Sequence, residues 1–398
     1  MAVTLDDKRR YARVLLRVGV DLKAGQSLFV EAPVGQEEFV AILEEEARTM
    51  GCPDVGVLWR DDSADAARLK AGIAAETAGA EEMARQYAGQ KAAYIRLDCP
   101  NLSVFEGVPT ERLTEKALQD SKVRGIFRTD AAGCGQTIAC VPGPSWADIV
   151  FPELPEEERT DALWNAVLYC TRCSEPDPEG AWKAYLDRTA KRKKMLSERE
   201  YTAFHYHDGN GTDLMVSPAE KAFWMGSCIP AKDRISVPNI PTEEVFLTPH
   251  KYKVNGTVHS TMPLNFKGTL IEGIRLKFEN GRIVAYDAEK GKDALASIIE
   301  TDEGSHHIGE IAFVDQNTPI AQLGRLFYTT LYDENASCHI AIGNALGSVR
   351  DPEEQEALGM NSSQVHVDFM IGSDRLCIDG KRPDGSWEAV FVNGHWAI

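Results

Sequence analysis

Hydrophobic and polar positions along the first half of the chain alternate between short apolar runs and amphipathic stretches. The turn Lys23-Ala24-Gly25-Gln26 leads into an apolar run over 27–32 that predicts a strand. Phe39, Ile42, Leu43, Ala47 and Met50 then recur at helical spacing, with Glu37, Glu38, Glu44 and Glu45 largely off that face, until Gly51 stops the pattern. A strand over 54–59, a helix over 75–87 and a strand over 92–97 follow. Strand and helix in alternation imply a mostly parallel sheet covered by helices. Pro155 is placed to open a helix through Glu156-Glu157-Glu158, and a second helix over 181–199 leads out of this region.

Beyond residue 200 the signals change to hairpins. Asn255-Gly256, Asn280-Gly281, Asp379-Gly380, Asp384-Gly385 and Asn393-Gly394 are dipeptides that favour tight turns. Ile274, Leu276 and Phe278 alternate before Asn280-Gly281, and Ile283 and Ala285 continue the alternation after it. Helices are predicted over 291–300 and 320–332. The expected fold is therefore α/β plus α+β. An N-terminal α/β domain with a mostly parallel sheet spans 1–200, and an antiparallel-rich domain spans 201–398.

Composition narrows the function. The 398 residues are 43% hydrophobic and 26% charged, enough for a sizeable core, and the formal net charge is −18. Such a charge repels phosphate backbones and anionic headgroups, so neither nucleic acid nor membrane is expected as a partner. The one dense basic run, Lys191-Arg192-Lys193-Lys194, reads as a solvated helix face. Arg13 and Arg17 interrupt the only stretch resembling a secretory signal, and no apolar run approaches the roughly 20 residues of a membrane span. A soluble, cytoplasmic protein is expected. The nine cysteines are scattered rather than arranged as a disulfide framework, and the pair Cys170 and Cys173 reads as structural thiols. Neither a Gly-x-Gly-x-x-Gly nor a Walker-type motif is present.

All nine histidines lie at or after His205, which confines imidazole chemistry to the second half. Val365-His366-Val367-Asp368-Phe369-Met370-Ile371 is the sharpest pattern: on a strand His366 and Asp368 share one face while the apolar residues face a core. A buried imidazole and carboxylate need compensation, which a metal ion or a simple His-Asp hydrogen bond supplies. Three other segments bring acids or imidazoles: Pro241-Thr242-Glu243-Glu244-Val245-Phe246, the run from Asp302 and Glu303 through His306 and His307 to Glu310, and Asp333-Glu334-Asn335-Ala336-Ser337-Cys338-His339. Four carboxylates and two imidazoles from four segments match a pair of divalent cations, and mixed oxygen and nitrogen ligands suit Zn, Co or Mn. Two ions about 3.5–4 Å apart activate a bridging water for hydrolysis.

The segments at 241–246, 272–279, 309–312, 333–339 and 366–373, with those at 11–19 and 151–158, resemble the thermophilic-type metallo-aminopeptidases, the aminopeptidase T and aminopeptidase S family. The resemblance implies a two-domain homodimer that uses two divalent ions per chain to remove N-terminal residues from short peptides. It places the metal ligands on Glu244, Glu310, Glu334, His339, His366 and Asp368. Glu310 would bridge the ions, and Glu310 or Glu334 would supply the catalytic carboxylate. His306 and His307 fall outside the set. One departure stands out, because Leu346 occupies a position where the family commonly has a tyrosine, and a leucine cannot donate a hydrogen bond to an oxyanion. A catalytically weak member is therefore one alternative. A mononuclear iron ring-cleaving dioxygenase using His339, His366 and Asp368 is another, and it leaves the three glutamates without a metal to hold.

Overall fold

A computed structural model describes residues 2–74, 78–231, 233–266, 268–347, 349 and 351–398. The chain forms two compact units, the first comprising Met1–Tyr185 with Cys228–Thr242 and the second Leu186–Ser227 with Glu243–Ile398. The sequence suggested one cut near residue 200. The division instead falls inside the helix Pro178–Arg199, and a short later segment returns to the first unit.

The first unit is built on a five-stranded parallel sheet in the order Asn239–Ile240, Gln136–Cys140, Ala93–Asp98, Leu28–Pro33, Val55–Arg60. Leu28–Pro33 is buried at every position, the pattern of a central strand covered on both faces. The helix Glu37–Thr49 buries Phe39, Ile42, Leu43 and Ala47, as its spacing predicts. The helix expected over 75–87 is found as Ala78–Gly89, residues 75–77 lying outside the described residues. The two-residue strand Asn239–Ile240 carries no periodicity, so its place in this sheet is invisible in the sequence.

The second unit contains two antiparallel sheets that share one apolar core. Eight strands run in the order Arg282–Asp287, Arg275–Glu279, Pro249–His259, Asp213–Pro218, Ala203–His207, Cys377–Lys381, Trp387–Val392, His395–Trp396. Five more run His366–Met370, His339–Gly343, Ile308–Phe313, Val245–Leu247, Met225–Gly226. Phe204, Leu214, Val254 and Ile378 from the larger sheet meet Ile311, Phe313, Ile340 and Phe369 from the smaller one in a single cluster. The mixed α/β class is as expected.

Three of the five turn dipeptides lie between strands, at Asn280-Gly281, Asp384-Gly385 and Asn393-Gly394. The other two lie inside strands. A Cβ on Gly256 would stand 2.0 Å from the Asp213 carbonyl oxygen, and one on Gly380 would stand 2.5 Å from the Tyr201 ring, so both glycines serve close approach instead of chain reversal. The single helix expected over 320–332 is two short ones, Pro319–Leu323 and Thr330–Asp333, because Gly324 ends the first in the left-handed conformation at φ +58°. Among the described residues no helix is long and apolar enough to cross a membrane.

Candidate metal centre

One face of the five-stranded sheet carries the acids and imidazoles. Directly opposed residues share a face in an antiparallel sheet. Glu310 pairs with Ala341, Ala341 with Asp368, Gly343 with His366, and Ala312 with His339. Phe246 opposes Ala312, so Glu244, two residues before Phe246, borders the same face. The positions between the polar groups are the small residues Ala312, Ala341 and Gly343, which leave room above the sheet. The opposite face is Val245, Leu247, Ile311, Phe313, Ile340, Ile342 and Phe369, all buried in the core. The alternation read at His366 and Asp368 therefore extends over four strands.

The side chains converge as two triads, Glu244–Glu310–His339 and Glu310–His366–Asp368, each with one donor atom per residue mutually within 4.8 Å. His339 Nε2 stands 3.1 Å from Glu244 Oε2 and 3.6 Å from Glu310 Oε1. His366 Nε2 stands 3.6 Å from Glu310 Oε2 and 3.4 Å from Asp368 Oδ1. Donors held about 2.0–2.2 Å from one ion stand roughly 3.2–3.6 Å apart at tetrahedral angles, so most of these separations suit coordination. Among the described residues, none hydrogen-bonds to the buried Glu310 Oε2 or Asp368 Oδ1, an arrangement a cation would satisfy.

The imidazoles are oriented for the same purpose. His339 Nδ1 lies 3.2 Å from the Ser337 carbonyl, and His366 Nδ1 lies 2.7 Å from the Asn344 carbonyl. An Nδ1–H that donates to a carbonyl leaves Nε2 as the lone-pair nitrogen facing the carboxylates.

Without an ion the cluster is electrostatically strained. Burial pushes the Glu310 carboxyl up to about 7 against the pull of His339, with Glu244 and Asp368 adding to the rise. Burial opposes a charge on His366, but Asp368 and Glu310 outweigh it and raise the imidazole to about 10. Asp368 is held below its ordinary value because His366 overcomes the cost of burying it.

Glu334 sits in the short turn Glu334–Ala336, ahead of the strand carrying His339, and belongs to neither triad. It is buried, and its carboxyl is raised well above the ordinary value by burial, then by the Asp368 and Glu244 charges. Its neighbour Asp333 does different work. Asp333 accepts the Phe327 and Thr329 backbone N–H groups at 2.7 and 3.1 Å and so fastens the preceding loop. His307 is also structural, with Nδ1 against the carbonyls of Lys251 and Gly281. Leu346 follows the strand His339–Gly343, is 38% exposed, and accepts the Thr248 hydroxyl through its carbonyl at 2.6 Å. Cys170 and Cys173 are buried and joined in no disulfide, and burial pushes the Cys173 thiol up to about 12.

Two supporting residues escape sequence reasoning. Asn335, fully buried, accepts the Glu243 N–H at 2.6 Å and donates to Leu331 O and Glu334 Oε1, tying the Glu244 segment to the Glu334 turn. Ser227 donates to the Glu244 carbonyl at 3.2 Å. Asn335 lies within the acidic cluster at 333–339, but the only signal for its role is an amide among groups of greater apparent chemistry.

The model of the family described as thermophilic metalloprotease (M29) matches residues 6–396. Aminopeptidase AmpS of Bacillus subtilis (strain 168) is 38% identical over 407 residues, covering 98% of each chain. Aminopeptidase T of Thermus aquaticus is 36% identical over 408 residues, covering 99% of each. Among solved structures, wild-type AmpT from Thermus thermophilus superposes with a TM-score of 0.88 at 34% identity, covering 99% of both chains. A 2,5-dihydroxypyridine dioxygenase from Pseudomonas putida KT2440 shares the fold alone, with a TM-score of 0.55 and 14% identity. Matched almost end to end by the family model and by relatives above 30% identity, the chain belongs to the thermophilic metalloprotease (M29) family and is a metal-dependent aminopeptidase.

Proposed function

We propose that the centre holds two divalent ions, Zn, Co or Mn, and releases the N-terminal residue of short peptides. The observation that carries this is the division of Glu310 between the triads: Oε1 faces His339 and Oε2 faces His366, each at 3.6 Å. Glu310 would serve both positions if two cations were held here, with Glu244 and His339 as the further residues for one and His366 and Asp368 for the other. When bound, such a pair supplies Lewis acidity for the scissile carbonyl and a water of lowered pKa.

The chain's own groups do the rest. Glu334 completes the acidic set as its least engaged member. Burial beside Asp368 and Glu244 raises its carboxyl well above the ordinary value, so that in its carboxylate form it is a strengthened base that takes a proton from the attacking water and returns it to the leaving amine. As the resemblance implies, the protein acts as a homodimer.

Metal counting tests the reading. Protein stripped with a chelator and reloaded is expected to bind two ions at this centre and to regain cleavage of aminoacyl-p-nitroanilides. His366→Ala or Asp368→Ala should abolish both. A single iron accompanied by oxygen uptake, or full activity in either variant, would reject it.

A further inference from the structure

A second cluster of metal-ligating groups stands on the eight-stranded sheet, in residues the aminopeptidase centre does not use. Within the strand Ala203–His207, Phe204 and Tyr206 point into the core and are fully buried, so His205 and His207 share the opposite, outward face. The flanking strands obey the same alternation. Leu214, Val216 and Ile378 are fully buried, which turns Asp213, Met215, Cys377 and Asp379 outward. Register then sets the neighbours: Asp379 lies opposite His205, Cys377 opposite His207, and Asp213 opposite His207 from the other side.

The donor atoms meet above this face. One donor each from His205, His207 and Asp379 lie mutually within 4.8 Å. His207 Nε2 is 3.1 Å from Asp379 Oδ2, and His205 Nε2 is 2.8 Å from Asp213 Oδ1. The two imidazole rings stand 5.0 Å apart at 34°, and His205 also packs edge-on against Trp387 at 6.4 Å. Lys381 shares the face, but its ammonium lies over the Trp387 ring at 5.8 Å. An ordinary solvated face needs only scattered polar side chains. Two imidazoles on one strand with an aspartate opposite one of them form a chelating set.

We infer that His205, His207 and Asp379 form a second metal site, separate from the aminopeptidase centre, for one imidazole-preferring first-row ion such as Zn2+. Two neutral nitrogens and one carboxylate select against Mg2+ and Ca2+, which demand oxygen shells. All three ligands come from adjacent strands that are already paired, so binding requires side-chain adjustment only. Asp213 stays beside His205 and fixes that ring, in the manner of an outer carboxylate. Water fills the remaining positions, as expected where all three ligands are partly exposed. The bound ion clamps the strand Ala203–His207 to Cys377–Lys381.

The test compares the full-length wild type with a His205→Gln/His207→Gln variant, both with the aminopeptidase centre loaded, by equilibrium dialysis against buffered free Zn2+. The wild type is expected to hold one more equivalent per chain than the variant, to gain thermal stability from that equivalent, and to show no matching uptake of Mg2+. Asp379→Asn should lose the same equivalent, and it provides a second reading if the double variant fails to fold. Because the quantity read is a difference between proteins, it does not depend on how many ions the aminopeptidase centre takes. Equal Zn2+ equivalents in wild type and variants would overturn the site, as would equal uptake of Mg2+.

Discussion

Glu310 differs from the other acids of the centre in facing both histidines at once, and its substitution should therefore differ in kind. Glu310→Gln is expected to empty both metal positions and lower kcat/KM at least about 10³-fold, because a neutral amide cannot bridge two cations. Glu334→Gln leaves both triads complete. It should keep its metal content while kcat falls about 10²–10⁴-fold, the range for losing a general acid–base group. Metal analysis beside steady-state kinetics separates the two. Protonation adds a third expectation. In the ion-free protein His366 is raised to about 10 and Glu310 to about 7, so metal binding near neutral pH must expel protons. Affinity should rise from pH 6 to 9, and calorimetry in buffers of different ionisation enthalpy should report net proton release. An affinity independent of pH would exclude this linkage. At this scale the sequence was legible where residue type speaks for itself, as at His366 and Asp368. It was mute about Asn335 and Ser227, whose importance lies in which backbone groups they reach.

At the scale of elements, a bulge positions the Glu310 carboxylate. Ile308 pairs with Ile342 and Glu310 with Ala341, so the register slips by one residue at Gly309. Bulges beside functional sites re-aim side chains, and here the slip puts Glu310 on the face of His339 and Asp368. A Cβ on Gly309 would stand 2.3 Å from the Asn344 carbonyl oxygen, the residue whose carbonyl also holds His366. Gly309→Ala is therefore expected to weaken metal binding at least tenfold without touching a ligand, and dialysis of the folded variant would show it. Period-two patterning announced the strand of His366 clearly, but it could not show this slip, because an extra residue in one strand is defined only by its partner. The same physics explains Asn255-Gly256 and Asp379-Gly380. Each resembles a turn in one dimension and lies inside a strand once the neighbouring chain is present. The broken helix over 320–332 differs, since Gly324 was in plain view as a helix terminator.

The net charge of −18 reflects an excess of carboxylates, and the first unit contains one whose contribution to stability against pH has a definite sign. Asp98 ends a central strand of the parallel sheet beside Arg60 at 2.6 Å and Arg96 at 3.0 Å, and both guanidiniums also reach buried Glu31. Burial alone would raise the Asp98 carboxyl, but Arg96 and Arg60 outweigh it and hold it at about 2, against an ordinary value of 3.8. A depressed carboxyl stabilises the fold above its unfolded pKa and loses that contribution as the pH falls towards its folded one. The window is therefore pH 4 down to 2. Undiluted, such a shift corresponds to about 2.4 kcal/mol, and partial exposure of the Asp98 side chain reduces it to about 1 kcal/mol. Asp98→Asn should be less stable than the wild type by about that amount at pH 6, with the gap narrowing between pH 4 and pH 3 because the wild type protonates and the variant does not. Urea unfolding of both proteins across that range reads the gap directly. A gap that stayed constant with pH would mean that the two arginines hold Asp98 by geometry and not by charge.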